Sequence, residues 1–171
     1  MNAHMRAVDF NPDYDPGLKP DSTVVYRPRG AIISNPRILN GDAQSVNLLE
    51  RNARYLYSYN VEFLEPAENV GFGMLIKTVT GLELGGGTTA FRQDLVLKKA
   101  IRGSSYEVVF GFQCVFTPGV YFINAGVINA VTMDYYHRIL DAVAFRVKPE
   151  AERQVMTGLI DCGVAPAITA M

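Results

Sequence analysis

The side chains that enzymes use for catalysis are few in this sequence and poorly spaced for joint action. The two histidines, His4 and His137, form no metal-binding or nucleophile–base motif with a cysteine. Residues 71–78 resemble a phosphate-binding loop, but Ile76 occupies the position of its second glycine. Carboxylates near predicted turns leave a glycosidase pair as an open alternative, and they are Glu62, Glu65, Glu83 and Asp94. The sequence therefore predicts a protein that is not an enzyme and that uses no metal and no cofactor.

Three other side chains have the chemistry of sugar recognition. Glycans present apolar C–H faces beside hydroxyl groups, so their binding sites combine aromatic rings with planar hydrogen-bonding side chains. Gln113, Phe122 and Asn124 share the outer parity of two strands predicted within residues 105–130. That face carries almost no lysine or glutamate, which is unusual for a solvent-exposed surface. We therefore predict that a ligand docks there.

A third strand, predicted over residues 70–79, extends this face if it pairs beside the other two. Lys77 and Gly73 then join the same side. Glycines at positions 73, 111 and 126 leave a shallow trough in which a glycan can approach the backbone closely. The alternative is a dimer interface, or a surface covered by a second element, formed by Val109, Val115, Phe122 and Ile128.

A second group of candidate binding residues is consecutive in the chain. Tyr135, Tyr136, His137 and Arg138 fall in the segment 133–138, which the sequence predicts to be an exposed loop. Loops at the end of a sheet often carry recognition residues, so these four are further candidates for carbohydrate binding. A structural plug at the end of the fold is an equally open alternative for them.

The elements that must position these side chains are β-strands. From Tyr106 to Phe116 every second residue is apolar or aromatic, which predicts a strand with one buried face. The turn residues Thr117-Pro118-Gly119 then predict a hairpin with a return strand that ends near Ala130. The same alternation in residues 54–64 predicts a second strand, whose tyrosines we assign to the core, with stacking on a sugar as the alternative.

Further strands are predicted over 31–39, with Pro36 at an edge or bulge, and over 70–79, 95–101 and 142–147. A glycine-rich corner is predicted at 84–89, and 157–165 is a candidate for one more short strand. No helical period stands out among them. The fold predicted from this pattern is all-β, an antiparallel immunoglobulin-like β-sandwich of about seven to nine strands.

Composition narrows the classes of partner. The chain has 171 residues and a net charge of −1, so it offers no overall electrostatic basis for binding nucleic acid. No apolar run approaches the roughly 20 residues of a membrane span, and no signal peptide opens the chain. We expect a soluble single domain. Cys114 and Cys162 are expected to be free thiols in a reducing compartment, with a disulfide as the alternative.

The first residues are predicted to lie outside that domain. Residues 1–28 are interpreted as a linker, with a cloning scar in residues 1–5, and residues 29–171 as a sandwich with a C-terminal tail. Acids alternate along residues 9–20 as in a calcium-binding loop. However, Tyr14 stands at the required glycine and Pro20 at the required glutamate, so a solvated linker is favoured.

The order of these segments resembles the C-terminal polysaccharide-binding domain of Wzt-type ATPases, which belong to ABC transporters that export O-antigen. The similarity covers about residues 29–165. A phenylalanine-rich strand runs into a Pro-Gly-x-Tyr turn, and the next strand ends in glycine and an aliphatic residue. The matching positions are Pro118, Gly119, Tyr121, Gly126, Val127, Asp141, Ala142, Phe145, Val147 and the segment 158–163.

The resemblance implies a non-catalytic domain that binds bacterial O-polysaccharide and couples the choice of cargo to transport. It also implies a homodimer, in which terminal strands are exchanged, and partnership with the transporter's ATPase and membrane subunits. The implied location is the cytoplasm, at the inner-membrane transporter. No Walker motif occurs in the chain, so the ATPase would lie outside this sequence. The chain also has no tryptophan, which argues against a sugar site built on an indole ring.

Overall fold

The structure is a computed structural model that describes residues 10–151 and 156–171. In these residues it contains eleven β-strands and no helix. The strands are β1 (Val24–Val25), β2 (Ala31–Leu39), β3 (Ser45–Val46), β4 (Leu48–Leu49), β5 (Arg54–Phe63), β6 (Ala67–Thr78), β7 (Glu83–Thr88), β8 (Leu97–Ala100), β9 (Ser105–Gln113), β10 (Gly119–Asn129) and β11 (Tyr135–Val147).

The strands form two sheets packed face to face, so the predicted all-β sandwich is confirmed. The large sheet has the order β1-β11-β10-β6-β7, with β4 beside β11 and β8 beside β6. The small sheet has the order β3-β2-β5-β9. All pairs are antiparallel except the short β4–β11 pair. The predicted count of seven to nine strands is wrong, because β1, β3 and β4 have only two residues each and show no alternation in sequence.

The predicted glycine-rich corner is also a strand. β7 pairs with β6 through its backbone, with Gly86 opposite Leu75. A Cβ atom on Gly86 would lie only 2.3 Å from the carbonyl oxygen of Met74, so this close approach of two backbones requires glycine. Strand formation here depends on backbone hydrogen bonds rather than on side chains, and therefore leaves no hydrophobic pattern.

The core lies between the sheets and contains the aromatic residues of β5. Tyr57, Tyr59 and Phe63 are completely buried, and the rings of Tyr57 and Tyr59 lie 5.7 Å apart. The assignment of these tyrosines to the core is confirmed. Strand β2 has the predicted bounds and an irregular register between Ser34 and Arg37, where Pro36 interrupts the pairing. Both cysteines are free, as predicted, and Cys114 is buried.

The predicted hairpin of residues 105–130 is wrong. β9 pairs with β5 at the edge of the small sheet, whereas β10 lies between β6 and β11 in the large sheet. The segment 114–118 therefore carries the chain across the core from one sheet to the other. Apolar faces of the two strands meet through the core instead of lying side by side, because an apolar face can be buried equally well by an opposing sheet.

The predicted loop 133–138 is shorter than expected, since β11 begins at Tyr135. The turn before it is closed by Asn129, whose side-chain oxygen accepts hydrogen bonds from the backbone of Val131 and Thr132. The backbone nitrogen of Asn129 also donates to Asp134 at 2.8 Å. These bonds end the turn early, so Tyr135 to Arg138 belong to a strand. A register shift opposite Val127 and Ile128 of β10 lets Tyr135 and Arg138 share the outer face, while His137 faces the core.

Both ends of the chain lie against the sandwich where they are described. The carbonyl of Asp13 accepts hydrogen bonds from Asn47 and Leu48 at 3.0 Å, and β1 pairs with β11. Residues 10–28 thus make specific contacts that a solvated linker does not make, while the proposed scar in residues 1–5 lies outside the described residues. In the tail, the carbonyl of Leu159 accepts from the backbone nitrogen of Thr117 at 3.0 Å, which gives partial strand pairing in the predicted segment 157–165.

Two polar side chains connect the sheets through the core. The hydroxyl oxygen of Tyr59, from β5, lies 3.0 Å from the carbonyl oxygens of both Gly73 on β6 and Gly126 on β10. In the opposite direction, His137 on β11 accepts a hydrogen bond at Nδ1 from the backbone of Ile33 on β2 at 2.8 Å. Its Nε2 lies 2.9 Å from the carbonyl of Tyr26 and is therefore the protonated nitrogen.

Replacing Tyr59 by Phe should lower the free energy of unfolding by about 1 kcal/mol. The substitution removes the one hydroxyl proton shared by two carbonyl oxygens, and the oxygen that accepts from the Gly73 backbone nitrogen at 3.2 Å. Tyr57→Phe is the matched control. Tyr57 is equally buried on the same strand, but its hydroxyl has no hydrogen-bond partner in the described part of the chain. Its removal should leave stability unchanged or increase it. Urea denaturation measures both, and equal losses for the two variants would contradict the cross-sheet role of Tyr59.

His137 should make the stability of the protein depend on pH. Burial lowers its pKa below the ordinary value, although the hydrogen bond to the Tyr26 carbonyl partly opposes this shift. The unfolded chain, with a histidine pKa of about 6.5, therefore binds a proton before the folded protein does. The free energy of unfolding should decrease as the pH falls below that value. NMR titration of the His137 ring should give a pKa below 6.5, and a higher pKa would exclude this mechanism.

Candidate functional site

The outer face of the large sheet has a depression whose floor consists of two glycines. Gly73 on β6 and Gly126 on β10 are direct partners in adjacent strands. Neither has a side chain to fill the space above the sheet, and the Tyr59 hydroxyl holds their carbonyls from the core side. The trough predicted from glycine positions is therefore present at these two positions. Gly111 does not belong to it, because it lies on β9 in the small sheet.

The space above these glycines is a cavity of about 240 Å³, which we call the trough. Its walls come from β6, β7, β10, β11 and the segments that follow β7 and β10. The lining residues are Gly73, Met74, Leu75, Gly87, Thr88, Phe91, Asn124, Ala125, Gly126, Ile128, Met133, Tyr135 and Arg138. Three predicted binding residues are thus brought together: Asn124 from β10, and Tyr135 and Arg138 from β11.

Exposed aromatic rings are part of two walls of the trough. Tyr135 is 42% exposed, and its ring lies beside Gly126, where a Cβ atom would approach Cε1 to 3.1 Å. Phe91, just beyond β7, is 74% exposed. Sequence reasoning missed Phe91, because an isolated aromatic residue after a glycine-rich segment has no periodic pattern. Rings that are left in water beside an open cavity are suited to stack on a sugar ring.

Asn124 supplies a polar group to the trough. Its side-chain oxygen accepts a hydrogen bond from the backbone nitrogen of Asp141 at 2.8 Å, which fixes the orientation of the amide. Because that oxygen is occupied by an N–H donor, the NH₂ group is the part of the amide left for another acceptor. Within the described residues it has no protein partner. The amide can therefore donate to a ligand hydroxyl.

Lys77 and Phe122 lie on the same outer face, opposite each other on β6 and β10, but outside the trough. The ammonium group of Lys77 lies 2.6 Å from a carboxylate oxygen of Asp141, and both side chains are mostly buried. The other carboxylate oxygen accepts from the Ser22 hydroxyl at 2.5 Å. Lys77 thus forms part of a buried contact that fastens the N-terminal segment, a role that strand parity does not reveal. Phe122 is only 9% exposed.

The remaining three predicted binding residues lie elsewhere. Gln113 is exposed at the end of β9 in the small sheet, so it does not share a face with Asn124. Tyr136 closes the end of the sandwich, where its hydroxyl donates to the carbonyl of Glu68 at 2.8 Å. This geometry corresponds to the structural plug. His137 faces the core, as described above, and its position in a strand rather than a loop explains its burial.

Two arrangements considered from the sequence, a metal site and a glycosidase pair, can be compared with the described residues. No group of three His, Cys, Asp or Glu side chains could hold a metal ion there. Asp94 is one of the carboxylates considered for a glycosidase pair. It accepts hydrogen bonds from Arg92, and these are the main cause of its lowered pKa. A general acid for glycoside hydrolysis needs a raised pKa, so Asp94 is unsuited to that role.

The described residues include no helix that is long and apolar enough to cross a membrane. No curated protein matches the chain. Among solved structures, the crystal structure of the C-terminal domain of wzt matches with a TM-score of 0.76 and 22% sequence identity, covering 96% of this chain and 100% of that one. At this level of identity the match shows a shared fold.

Two other solved structures are more distant. The solution structure of the CARDB domain of PF1109 from Pyrococcus furiosus has a TM-score of 0.44 and 12% identity, and covers 70% of this chain and 96% of that one. The β-glucosidase from Listeria innocua in complex with gluconolactone has a TM-score of 0.40 and 9% identity, over 75% of this chain and 16% of that one. Neither similarity is strong enough to carry a functional argument.

The family comparison covers most of the sandwich. A family model described as the Wzt C-terminal domain matches residues 23–162, which include all eleven strands and the trough. The match begins just before β1 and ends in the tail segment that pairs beside Val115 and Thr117. The chain therefore belongs to the Wzt C-terminal domain family.

Proposed function

We propose that this domain is a non-catalytic module that binds O-antigen polysaccharide in the trough, as cargo of an ABC transporter. The observation that carries the proposal is the trough itself, a glycine-floored cavity with exposed Phe91 and Tyr135 in its walls and the Asn124 amide beside them. Family membership supplies the transporter context.

The trough matches the chemistry of a sugar ring. A pyranose offers an apolar C–H face, which can stack on an aromatic ring, and hydroxyl groups, which need donors and acceptors. The glycine floor lets the ring approach the sheet closely, and Asn124 and Arg138 supply donors at the edges. At about 240 Å³ the cavity is at the small end of ligand sites, so it suits the end or a short part of a glycan.

The transporter context defines the proposed partners and location. The domain would act on the cytoplasmic side of the inner membrane, with an ATPase subunit and membrane subunits of the transporter. We also propose that it works as a homodimer, as the family resemblance implies. Binding of the glycan would then link the choice of cargo to transport.

The alternative of a single apolar interface assumed that its residues lie side by side on one hairpin, and that hairpin does not form. Val109 and Val115 belong to the small-sheet side, whereas Phe122 and Ile128 lie on β10 of the large sheet. Phe122 is also buried within one copy of the chain. These four residues therefore do not form one interface together, and we propose that the trough binds a ligand.

Substituting Gly73 by Val tests the trough directly. Gly73 has ordinary strand geometry, and a Cβ there would meet only the carbonyl of Gly87 at 3.6 Å and the Thr88 hydroxyl at 3.9 Å. The side chain should therefore fill the cavity without unfolding the sheet. We expect at least about tenfold weaker binding of O-antigen polysaccharide from the source strain, measured by calorimetry, equivalent to a loss of about 1.4 kcal/mol.

Gly111→Val is the matched control. Gly111 is also a strand glycine on an outer face, and a Cβ there would meet Leu56 at an ordinary 3.7 Å. Because it lies on the small sheet, this variant should bind polysaccharide as the unchanged protein does. Full binding by the Gly73 variant, or an equal loss in the Gly111 variant, would refute the trough as the binding site.

A further inference from the structure

A second cavity adjoins the trough where β11 begins. It has a volume of about 340 Å³ and is lined by Tyr26, Arg27, Arg29, Met133, Asp134, Tyr135, His137 and Arg138. We call it the arginine pocket. Met133, Tyr135 and Arg138 line both cavities, so the two share a wall. A group attached to a ligand in the trough would therefore lie close to the arginine pocket.

The arginine pocket carries a local excess of positive charge on a chain whose net charge is −1. Its lining includes three guanidinium groups and one carboxylate, that of Asp134. Arg27 and Arg29 are exposed and Arg138 is half-buried, and in the described part of the chain no carboxylate lies within ion-pair distance of any of the three. His137 adds no charge while its Nδ1 accepts the hydrogen bond from the backbone of Ile33, because the ring is then neutral. The three arginines are thus not neutralised by the protein.

The Arg138 side chain, and the backbone that carries Arg27 and Arg29, are held in place by contacts within the protein. The guanidinium carbon of Arg138 lies 4.8 Å from the ring centre of Tyr135 and 5.8 Å from that of Tyr26, within cation–π range of both. The backbone that carries Arg27 and Arg29 is fixed on both sides, since Tyr26 donates to the carbonyl of Arg138 at 3.0 Å and Arg29 to that of Tyr136 at 2.7 Å. A charged ligand would therefore find one positioned guanidinium group, that of Arg138, with Arg27 and Arg29 carried beside it on a fixed backbone.

We propose that the arginine pocket binds a negatively charged substituent, a carboxylate or a phosphate, on a glycan whose neutral sugar ring lies in the trough. This inference rests on the proposed function. Guanidinium groups match both anions, because their N–H donors form paired hydrogen bonds to two oxygen atoms of one group. The shared wall of Tyr135 and Arg138 places the anion next to the sugar that stacks in the trough. The domain thereby selects charged glycans over neutral ones.

The test compares four probes by NMR amide shifts: D-glucose, D-glucuronate, α-D-glucose 1-phosphate and inorganic phosphate. The two charged sugars should shift signals from both cavities and bind at least about tenfold more tightly than glucose. Their affinity should fall when salt is raised from about 20 to about 200 mM, because the charges are partly exposed. The stronger of the two charged sugars identifies the substituent as carboxylate or phosphate.

Arg27→Gln combined with Arg29→Gln should remove most of this preference while leaving the weak response to glucose. The matched control is Arg102→Gln combined with Arg146→Gln, which removes the same charge from exposed positions outside both cavities. The control should keep the preference. Equal affinity for glucose and the charged sugars, or an equal loss in both double variants, would overturn the proposal.

Two other outcomes separate this inference from the proposed function. If inorganic phosphate and the charged sugars shift only arginine-pocket signals, and polysaccharide never shifts the trough, the pocket binds anions but the glycan function fails, and with it the proposal of a glycan substituent. If neutral polysaccharide binds in the trough and the charged probes do no better, the function stands and the proposal is overturned. Arginine-dependent binding to phosphatidylglycerol vesicles without any response to charged sugars would also overturn it.

Discussion

The hydroxyl group of Tyr59 connects the core of the sandwich to the floor of the trough. A trough floored by glycines has no side chains to anchor it, so its backbone must be positioned from beneath. Tyr59 does this from the opposite sheet, with its oxygen 3.0 Å from the carbonyls of Gly73 and Gly126. Burial raises the pKa of this hydroxyl well above its ordinary value, so it remains a hydrogen-bond donor throughout the physiological range. One residue of the small sheet thus contacts the backbone of both glycines in the floor of the trough.

The charged groups on the outer face of the large sheet divide into two kinds. Near the middle of β11, the carboxylate of Asp141 binds the ammonium group of Lys77 and the hydroxyl of Ser22, so its charge is satisfied within the protein. The backbone nitrogen of Asp141 separately donates to the side-chain oxygen of Asn124. At the beginning of the same strand, Arg138 lies against two tyrosine rings, with Arg27 and Arg29 nearby. A satisfied ion pair stabilises local structure, while ordered cations without carboxylates are suited to a ligand. The distinction explains why Lys77 and Arg138, both predicted to bind, have different roles in the structure.

The trough and the arginine pocket depend on the path of the N-terminal segment as well as on the sheet. Residues 22–29 fasten to β11 through Ser22, β1 and Arg29, and they carry Tyr26 and two of the three arginines to the site. A domain that began at residue 29 would lack Tyr26 and Arg27, and the segment that holds Arg29 in place. The family match, which starts at residue 23, includes them. The segment before the first long strand is therefore part of the proposed binding surface.

The sequence by itself determined the features that depend on alternation and composition: the all-β sandwich, the buried face of β5, the interruption at Pro36, the free cysteines and the family resemblance. It also located the glycines at 73 and 126, because strand parity alone shows which residues share a face. The sequence did not determine which strands pair, since an apolar face is buried equally well by a neighbouring strand or by an opposing sheet. Only the tertiary structure separated Gln113 from Asn124, moved Tyr135 and Arg138 into a strand beside Gly126, and brought Phe91 and the arginines to the same face. Those positions depend on long-range contacts between strands, which a local period of two residues does not encode.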